Sequence, residues 1–199
     1  VGSEMCIRDR SMRQEAARCR IAFEEAAKGA VTAMVCSGDA GIYGMAGLMY
    51  EIGEEYPEVA IEVIPGVTAA LGGSAVLGAA VGHDVSLISL SDLLTPWELI
   101  EERLLCAAKA DFVICLYNPS SRKRSTYLAK ACEIMLEYKA EDTVCGIVKN
   151  IAREGETMQT LTLKELKETT VDMFSTVFIG NKQTKVIREK MVTPRGYRI

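Results

Sequence analysis

The sequence predicts an α/β fold in which strands and helices alternate along the chain. Short apolar runs rich in β-branched residues are followed by glycine, proline or polar turns and then by segments with helical spacing. Of the 199 residues 49% are hydrophobic, which is enough to bury a substantial core. Alternating strands and helices with short connections are typical of α/β proteins with largely parallel sheets.

The stretch VTAMVCSGDAGIYGM at residues 31–45 carries the first strand, turn and helix start of this pattern. Its first six residues predict a buried strand, and glycine-rich residues then predict a sharp turn before the helix. Such a turn at the carboxyl end of a strand is a common small-molecule site in α/β proteins. Gly38 and Gly41 let a ligand approach main-chain N–H groups, and Asp39 can accept hydrogen bonds from it. The alternative is a tight connection in which Asp39 caps the next helix.

Spacing and composition exclude several classes of function. The glycines at 38, 41, 44 and 47 do not match the dinucleotide fingerprint, and no Lys-Ser/Thr pair follows as in a phosphate loop. A net charge of -4 argues against a general nucleic-acid binder. No apolar run reaches the roughly 18 residues that span a membrane. The seven cysteines include no C-x-x-C pair, which predicts a cytoplasmic protein with neither a disulfide framework nor a metal site.

The start of the chain differs from the rest. Residues 1–10 have no periodicity and are predicted to be a non-native leader, although a genuine tail is the alternative. A helix is predicted from Met12 until Gly29. A second strand, Ile61–Ile64, ends at Pro65-Gly66, and Thr68 opens a helix of small residues.

A third strand, Val85–Leu90, follows Gly82-His83-Asp84, and His83 is the only histidine of the chain. A lone histidine is often structural, but this one can also titrate near neutral pH as an acid–base group. The motif SLSDLLTPWE at residues 89–98 comes next. Its second half, Thr95–Glu98, predicts a helix-capping box. That leaves Ser89, Ser91 and Asp92 unexplained and predicts a domain boundary between residues 91 and 92. The predicted domains are therefore 11–91 and 92–199.

The second predicted domain continues the alternation. Further strands are predicted at Asp111–Tyr117, Thr143–Lys149, Glu156–Leu161 and Thr176–Gly180. Three cations, Arg122, Lys123 and Arg124, fall in the predicted first turn of a helix, where the helix dipole disfavours positive charge. Such a break of a local rule is expected at a functional site. The alternative is a solvated basic turn.

Six motifs extend these inferences, because their order and spacing resemble those of a known family: SGDAGIYGM, IPGVTAA, GHD, SLSDLLTPWE, LYNPSSRKR and TPRGY. From about residue 11 onward the chain resembles the precorrin-3B C(17)-methyltransferases, a branch of the S-adenosylmethionine-dependent tetrapyrrole methyltransferases. The resemblance implies two α/β domains with the methyl donor, S-adenosylmethionine, in a cleft between them. It also implies methyl transfer to carbon 17 of a tetrapyrrole, either precorrin-3B or cobalt-factor III, with ring contraction. A homodimer is suggested as well.

The resemblance also assigns site residues. The residues that it places at the methyl donor are Ser37, Gly38, Asp39, Ile42, Tyr43, Thr68, Ala69, Tyr117, Asn118, Ile147 and Lys149. The three cations at 122–124 are predicted to bind the carboxylates of the tetrapyrrole. Ring contraction requires proton movement, for which His83 and Asp92 are the candidate catalytic residues.

One departure from the family pattern is expected to matter. The family begins with a strand and a glycine–proline–glycine turn that nothing in this sequence matches, so the N-terminal domain is predicted to lack its first strand. Two other functions remain open. One is a methyltransferase of the same superfamily with another substrate, and the other is a non-catalytic module that binds a nucleotide-like ligand.

Overall fold

The computed structural model describes residues 14–121 and 124–198, which form two compact units divided between Thr68 and Ala69. The mixed α/β fold that the sequence predicts is confirmed. The predicted leader, residues 1–10, lies outside the described residues. Within the described ranges, no helix is both long enough and apolar enough to span a membrane.

From residue 14 onward, the first unit contains two helices, α1 (Glu15–Ala27) and α2 (Ala46–Gly53). Cys19 and Phe23 of α1 are buried against Ile52 of α2. Phe23 also stacks on the ring of Tyr56, with ring centroids 5.0 Å apart and planes within 7°. A small apolar cluster of helix side chains therefore forms the core of this unit.

The two strands predicted in the first unit do not form. Residues 31–36 and 61–64 are irregular in the structure and pair with no other segment that it describes. Val31 and Val35 are almost fully exposed. Because a strand is defined by hydrogen bonds to a neighbour, an apolar β-branched run without a neighbour remains irregular chain. An apolar groove of about 630 Å³ separates these segments from the two helices.

The second unit contains the other helices and all of the strands that the structure assigns within the described residues. They are α3 (Ala69–Leu77), β1 (Gly78–Ala79), β2 (Val85–Ser89), α4 (Trp97–Lys109), β3 (Val113–Tyr117), α5 (Tyr127–Leu136), β4 (Val144–Lys149), β5 (Thr157–Thr162), α6 (Leu163–Lys167), β6 (Ser175–Ile179), β7 (Lys185–Ile187) and β8 (Lys190–Val192). The main sheet has five strands in the order β2-β3-β6-β4-β5, and a small sheet has the order β1-β8-β7.

The main sheet is mixed rather than largely parallel, which corrects the sequence prediction. Only β2 and β3 pair in parallel, whereas β3–β6, β6–β4 and β4–β5 are antiparallel. The connection from β4 to β5 consists of residues 150–156, which is too short for the crossover that parallel neighbours need.

The observed division at 68/69 differs from the predicted boundary at 91/92. The reason is the pairing of β2, whose residues Val85 to Ser89 align with Val113 to Tyr117 of β3. This register ties residues 85–89 to the same sheet as the C-terminal strands. The predicted boundary therefore falls inside the second unit.

Alternate residues of the central strands supply two separate cores, one on each face of the sheet. Ile114 and Leu116 of β3 pack with the buried side chains of α4, α5 and α6, while Cys115 belongs to the other face. On that face Phe178 of β6 lies directly below Gly73 of α3. The sheet is therefore covered on both sides.

Candidate functional site

Asp39 joins the predicted glycine turn to the loop that precedes α3. Its Oδ1 accepts hydrogen bonds from the N–H groups of Gly41 (2.8 Å) and Ile42 (3.0 Å), and its Oδ2 accepts one from Gly66 (2.9 Å). These N–H donors, that of Gly66 foremost, hold the pKa of the Asp39 carboxyl below its ordinary value. The alternative role, capping of the following helix, is not seen, because α2 begins only at Ala46.

The same two loops approach each other too closely for side chains. A Cβ on Gly66 would clash with the carbonyl oxygen of Gly38, and Gly38 itself has a φ of +81°. A Cβ on Gly38 would meet the Cα of Thr68 at 3.7 Å, so two of the residues predicted at the methyl donor are neighbours. Tyr43 has a φ of 53°, a region in which a bulky residue is strained. Such strain is typical of functional turns.

The second unit brings its predicted site residues to a single edge of the main sheet. Ser89 pairs with Tyr117, so β2 and β3 end together. Ile147 of β4 is opposite Val177 of β6, which is also opposite Leu116 of β3, so β4 ends at the same edge. We call this the carboxyl edge. Tyr117, Asn118 and Lys149 lie at it or directly after it. Ile147 lies two residues before the end of β4, and Asp92 lies three residues after the end of β2.

The side chains of Tyr117 and Asn118 connect the end of β3 to α3 and to β2. The hydroxyl oxygen of Tyr117 accepts a hydrogen bond from the N–H of Ala70 at 2.9 Å, which satisfies one of the free N–H groups at the start of α3. Ala69, also predicted at the donor, is the first residue of that helix. Asn118 has a φ of 51°, and its side-chain amide donates to Ser89 Oγ at 3.0 Å.

Asp92 is held from two sides. The hydroxyl of Tyr127 donates to its Oδ2 at 2.7 Å, and Arg124 Nη1 donates to its Oδ1 at 3.3 Å. The hydrogen bond from Tyr127 is the main reason that the pKa of Asp92 is lowered, and it also raises the pKa of Tyr127. Asp92 is therefore ionised at neutral pH, a state that fits a base or a positioning group rather than an acid.

Of the three cations predicted to bind substrate, the structure describes only Arg124. Its guanidinium donates to Ser91 Oγ (2.6 Å), Ser121 Oγ (3.1 Å) and Asp92, and its side chain is only 14% exposed. Arg124 is thus largely committed to contacts within the protein. Arg122 and Lys123 lie outside the described residues, so their role stays a prediction.

His83 lies at the opposite edge of the sheet from Asp92. It precedes β2, and that strand of five residues separates the two by about 16 Å at ~3.3 Å per residue. The N–H of Asp84 donates to its Nδ1 at 2.8 Å, and an Asp84 carboxylate oxygen lies 3.2 Å from the same nitrogen. The structure does not bring the two predicted catalytic residues together, and the catalytic role of His83 stays a prediction.

Lys149 ends β4 beside a groove of about 440 Å³. Its ammonium pairs with Asp172 at 2.7 Å, and Asp172 also accepts hydrogen bonds from Ser175 Oγ and the N–H of Phe174, both at 3.0 Å. These contacts, that with Lys149 foremost, lower the pKa of Asp172. Ile147 lines the same groove.

Comparison with known proteins shows the family. Residues 5–167 match the family described as Tetrapyrrole (Corrin/Porphyrin) Methylases. The chain belongs to this family. A solved methyltransferase, CobJ, superposes with a TM-score of 0.84 at 33% identity, covering 92% of this chain and 77% of that one. The cobalt precorrin-4 methyltransferase CbiF shares the fold, with a TM-score of 0.65 at 22% identity over 82% of this chain and 69% of that chain.

Two curated relatives add detail. The chain is 46% identical over 187 residues to a Salmonella typhimurium protein named "Probable cobalt-factor III C(17)-methyltransferase", covering 94% of this chain and 78% of that protein. It is 44% identical to the "Cobalt-factor III methyltransferase" of Priestia megaterium, again over 94% of this chain but over only 35% of the relative. This methylase sequence therefore corresponds to about a third of the Priestia protein.

Within this methylase, sequence reasoning missed two residues that shape the site. Tyr127 has the spacing of the apolar face of its helix, yet its hydroxyl donates to Asp92. Its position three residues after the cluster of cations was the available signal. No local pattern marks Asp172, because its link to Lys149 depends on the register of the sheet.

Proposed function

We propose that this methylase transfers a methyl group from S-adenosylmethionine to carbon 17 of a precorrin-3 type tetrapyrrole, with ring contraction, in cobalamin biosynthesis. The observation that carries the proposal is the 46% identity to the Salmonella relative across nearly the whole chain. Because that relative and the Priestia protein are both named for cobalt-factor III, we propose the cobalt-containing substrate ahead of precorrin-3B.

In the first unit, the glycine turn and Asp39 are proposed to hold the methyl donor. Each carboxylate oxygen has two lone pairs, so Asp39 can accept hydrogen bonds from a bound molecule besides those from the backbone. Its negative charge is favourable for the cationic donor. Ser37, Gly38, Ile42, Tyr43 and Thr68 are the further donor contacts that we propose here.

In the second unit, five residues are proposed to contact the donor: Ala69, Tyr117, Asn118, Ile147 and Lys149. Three of them end β3 or β4 or follow directly, and Ile147 lies two residues before the end of β4. Tyr117 also fixes the start of α3 through the N–H of Ala70. Ligands of α/β sheets bind at the carboxyl ends of strands, which supports this assignment.

The chemistry demands little covalent help from the protein. Methyl transfer by direct displacement needs the sulfonium methyl and the accepting carbon in line, and positioning supplies much of the acceleration. For the proton movements of ring contraction, Asp92 is the candidate that follows β2 near the carboxyl edge and is ionised at neutral pH. His83 is kept as a second candidate, to be tested by His83→Ala.

Arg122 and Lys123, together with Arg124, are proposed to attract the carboxylates of the substrate. A homodimer is proposed from the family resemblance.

The test is an assay with S-adenosylmethionine and cobalt-factor III, followed by mass spectrometry. A ring-contracted product with one added methyl group and an equal yield of S-adenosylhomocysteine are expected. Product from a different precorrin alone would favour another methyltransferase of the superfamily. Donor binding without S-adenosylhomocysteine from any precorrin would favour the non-catalytic binder.

A calorimetric titration tests the donor site separately. Asp39→Asn keeps the shape of the side chain but places an amide nitrogen against an N–H donor, either that of Gly66 or those of Gly41 and Ile42. We expect donor affinity to fall about tenfold, the scale of losing a charge-assisted hydrogen bond. The matched control is Asp142→Asn, at an exposed residue in a turn of the second unit, with unchanged affinity. Wild-type affinity in Asp39→Asn contradicts the role of Asp39.

A further inference from the structure

Two adjacent leucines lie in solvent beside the carboxyl edge. Leu93 is 71% exposed and Leu94 is 98% exposed, in the loop that connects β2 to α4. Single exposed leucines are common on protein surfaces, but two neighbours at the tip of one loop form an apolar patch.

The side chain of Tyr127 contacts this segment on both sides of the two leucines. On one side the Tyr127 hydroxyl donates to Asp92, the residue directly before Leu93. On the other side the Tyr127 ring packs against the ring of Trp97, the first residue of α4, with centroids 4.3 Å apart and planes at 47°. The ammonium of Lys130 lies 5.6 Å from the Tyr127 ring and 5.8 Å from the Trp97 ring. The two leucines are therefore presented on an anchored loop.

The loop also lies beside the proposed site, and Arg124 holds its first residues. Arg124 donates to Ser91 and Asp92, so its guanidinium is adjacent to the leucine tip. Ser89, four residues before Leu93, pairs with Tyr117 and accepts a hydrogen bond from Asn118 at the carboxyl edge. A precorrin-type macrocycle has apolar ring faces and a rim of carboxylates. An apolar tip beside the carboxyl edge complements the ring faces.

We propose that Leu93 and Leu94 contact a face of the tetrapyrrole ring and help determine affinity for it, and that Tyr127 is the positioning residue that holds them. This inference rests on the proposed function and deepens it, because it names the chain's own contact with the substrate. Asp92 then acts as an anchor of the loop.

The test uses the double variant Leu93→Ser/Leu94→Ser of the full chain. We expect KM for cobalt-factor III to rise about tenfold or more, the scale of losing apolar contacts in a binding site. KM for the donor and the melting temperature should not change, because both side chains are exposed. The matched control is Val186→Ser, an aliphatic residue on β7 that is 51% exposed, which should leave both KM values unchanged. In the double variant Leu93→Met/Leu94→Met, KM for cobalt-factor III should stay within about twofold of the wild-type value, since the apolar surface is kept.

Tyr127→Phe isolates the positioning role. It keeps the ring against Trp97 but removes the hydroxyl from Asp92, so KM for the tetrapyrrole should rise by less than in the double serine variant, with KM for the donor unchanged. Combining it with the serine variant should add nothing further, because the loop then has no apolar contact left to position.

Three outcomes overturn the inference. One is an unchanged KM for cobalt-factor III in an active double serine variant. A second is an equal rise for donor and tetrapyrrole. A third is an oligomer that sedimentation detects in the wild type and finds dissociated in the double serine variant. That result would mean that the leucines contact a second copy of the chain. If the wild-type chain gives no turnover, the proposed function fails by itself. An absorbance titration of cobalt-factor III without donor then decides the role of the leucines. A higher dissociation constant in the double serine variant than in the wild type supports that role, and equal constants contradict it.

Discussion

Apolar β-branched runs of similar character have opposite fates in the two units. Residues 31–36 in the first unit are irregular, and Val31 and Val35 lie in solvent. Residues 113–116 in the second unit are fully buried between two strand neighbours. The difference lies in the partners: β3 pairs with β2 and β6 on its two sides. An apolar run therefore predicts the capacity to form a strand, and a hydrogen-bonding neighbour decides whether the strand exists.

The predicted glycine turn of the first unit is ordered by other means. There the three N–H groups that donate to Asp39 join two loops. In the second unit, β-sheet pairing sets where Tyr117 and Lys149 lie. One unit thus relies on a carboxylate and the other on a sheet to position its site residues, and this contrast can be tested.

The largest expected effect is in amide hydrogen exchange. Amides of residues 31–36 and 61–64 should exchange at least about a thousandfold faster than those of Ile114–Leu116 and Val177–Ile179, because only the latter are buried and paired within a sheet. Mass spectrometry of peptides covering each segment measures the ratio. Protection of residues 31–36 equal to that of β3 would contradict the contrast, since it would mean that this run has a pairing partner.

A smaller effect, with opposite signs in the two units, is expected from glycine-to-alanine substitutions. In Gly73→Ala the new methyl group would lie 2.7 Å from Phe178 Cζ and 3.1 Å from Ile151 Cδ1. Because both neighbours are within the core, we expect a loss of about 1–3 kcal/mol in the free energy of unfolding. Urea unfolding followed by fluorescence of Trp97, the only tryptophan, reports on the second unit.

The matched substitution in the first unit is Gly47→Ala in α2. A methyl group there meets no heavy atom within 4 Å, and alanine favours the helix, so we expect a gain of up to about 1 kcal/mol. Hydrogen exchange of the α2 amides measures this local stability. Destabilisation by Gly47→Ala would contradict the packing described for the first unit. An unchanged free energy of unfolding in Gly73→Ala would contradict the packing described for the second unit.

The sequence predicted the second unit better than the first, and the physical reasons can be named. β2, β3 and β4 follow from local pattern, because their apolar runs also have partners. The capping box predicted at Thr95–Glu98 is wrong, because α4 begins at Trp97 after Pro96 and no side chain caps it. The antiparallel pairings of β6 depend on contacts distant in sequence, which a local pattern does not contain. At the site, Asp39 was chosen from its place among glycines. Its hydrogen bond with Gly66 joins residues that are 27 apart in sequence, and the bond between Tyr127 and Asp92 joins residues that are 35 apart. Such contacts are visible only in the folded structure.

The smallest expected effect distinguishes the two units by the salt dependence of a carboxylate in each. Asp39 and Asp172 both have lowered pKa values, the first through backbone N–H groups and the second chiefly through Lys149. A lowered pKa means that each carboxylate stabilises the folded state above its ordinary titration range, and that this contribution is lost as the pH falls through the lowered pKa.

Salt screens the interaction between charges far more than a hydrogen bond from a neutral amide. Raising the ionic strength from 0.05 to about 1 M should therefore raise the pKa of Asp172 toward its ordinary value and move that of Asp39 less. Carbon-detected NMR titration of the two side chains measures both shifts. Lys149→Met is the matched control: it should raise the pKa of Asp172 at low salt, remove most of its salt dependence, and leave Asp39 unchanged. An equal response of Asp39 and Asp172 to salt would show that charge, rather than backbone N–H groups, holds the turn of the first unit.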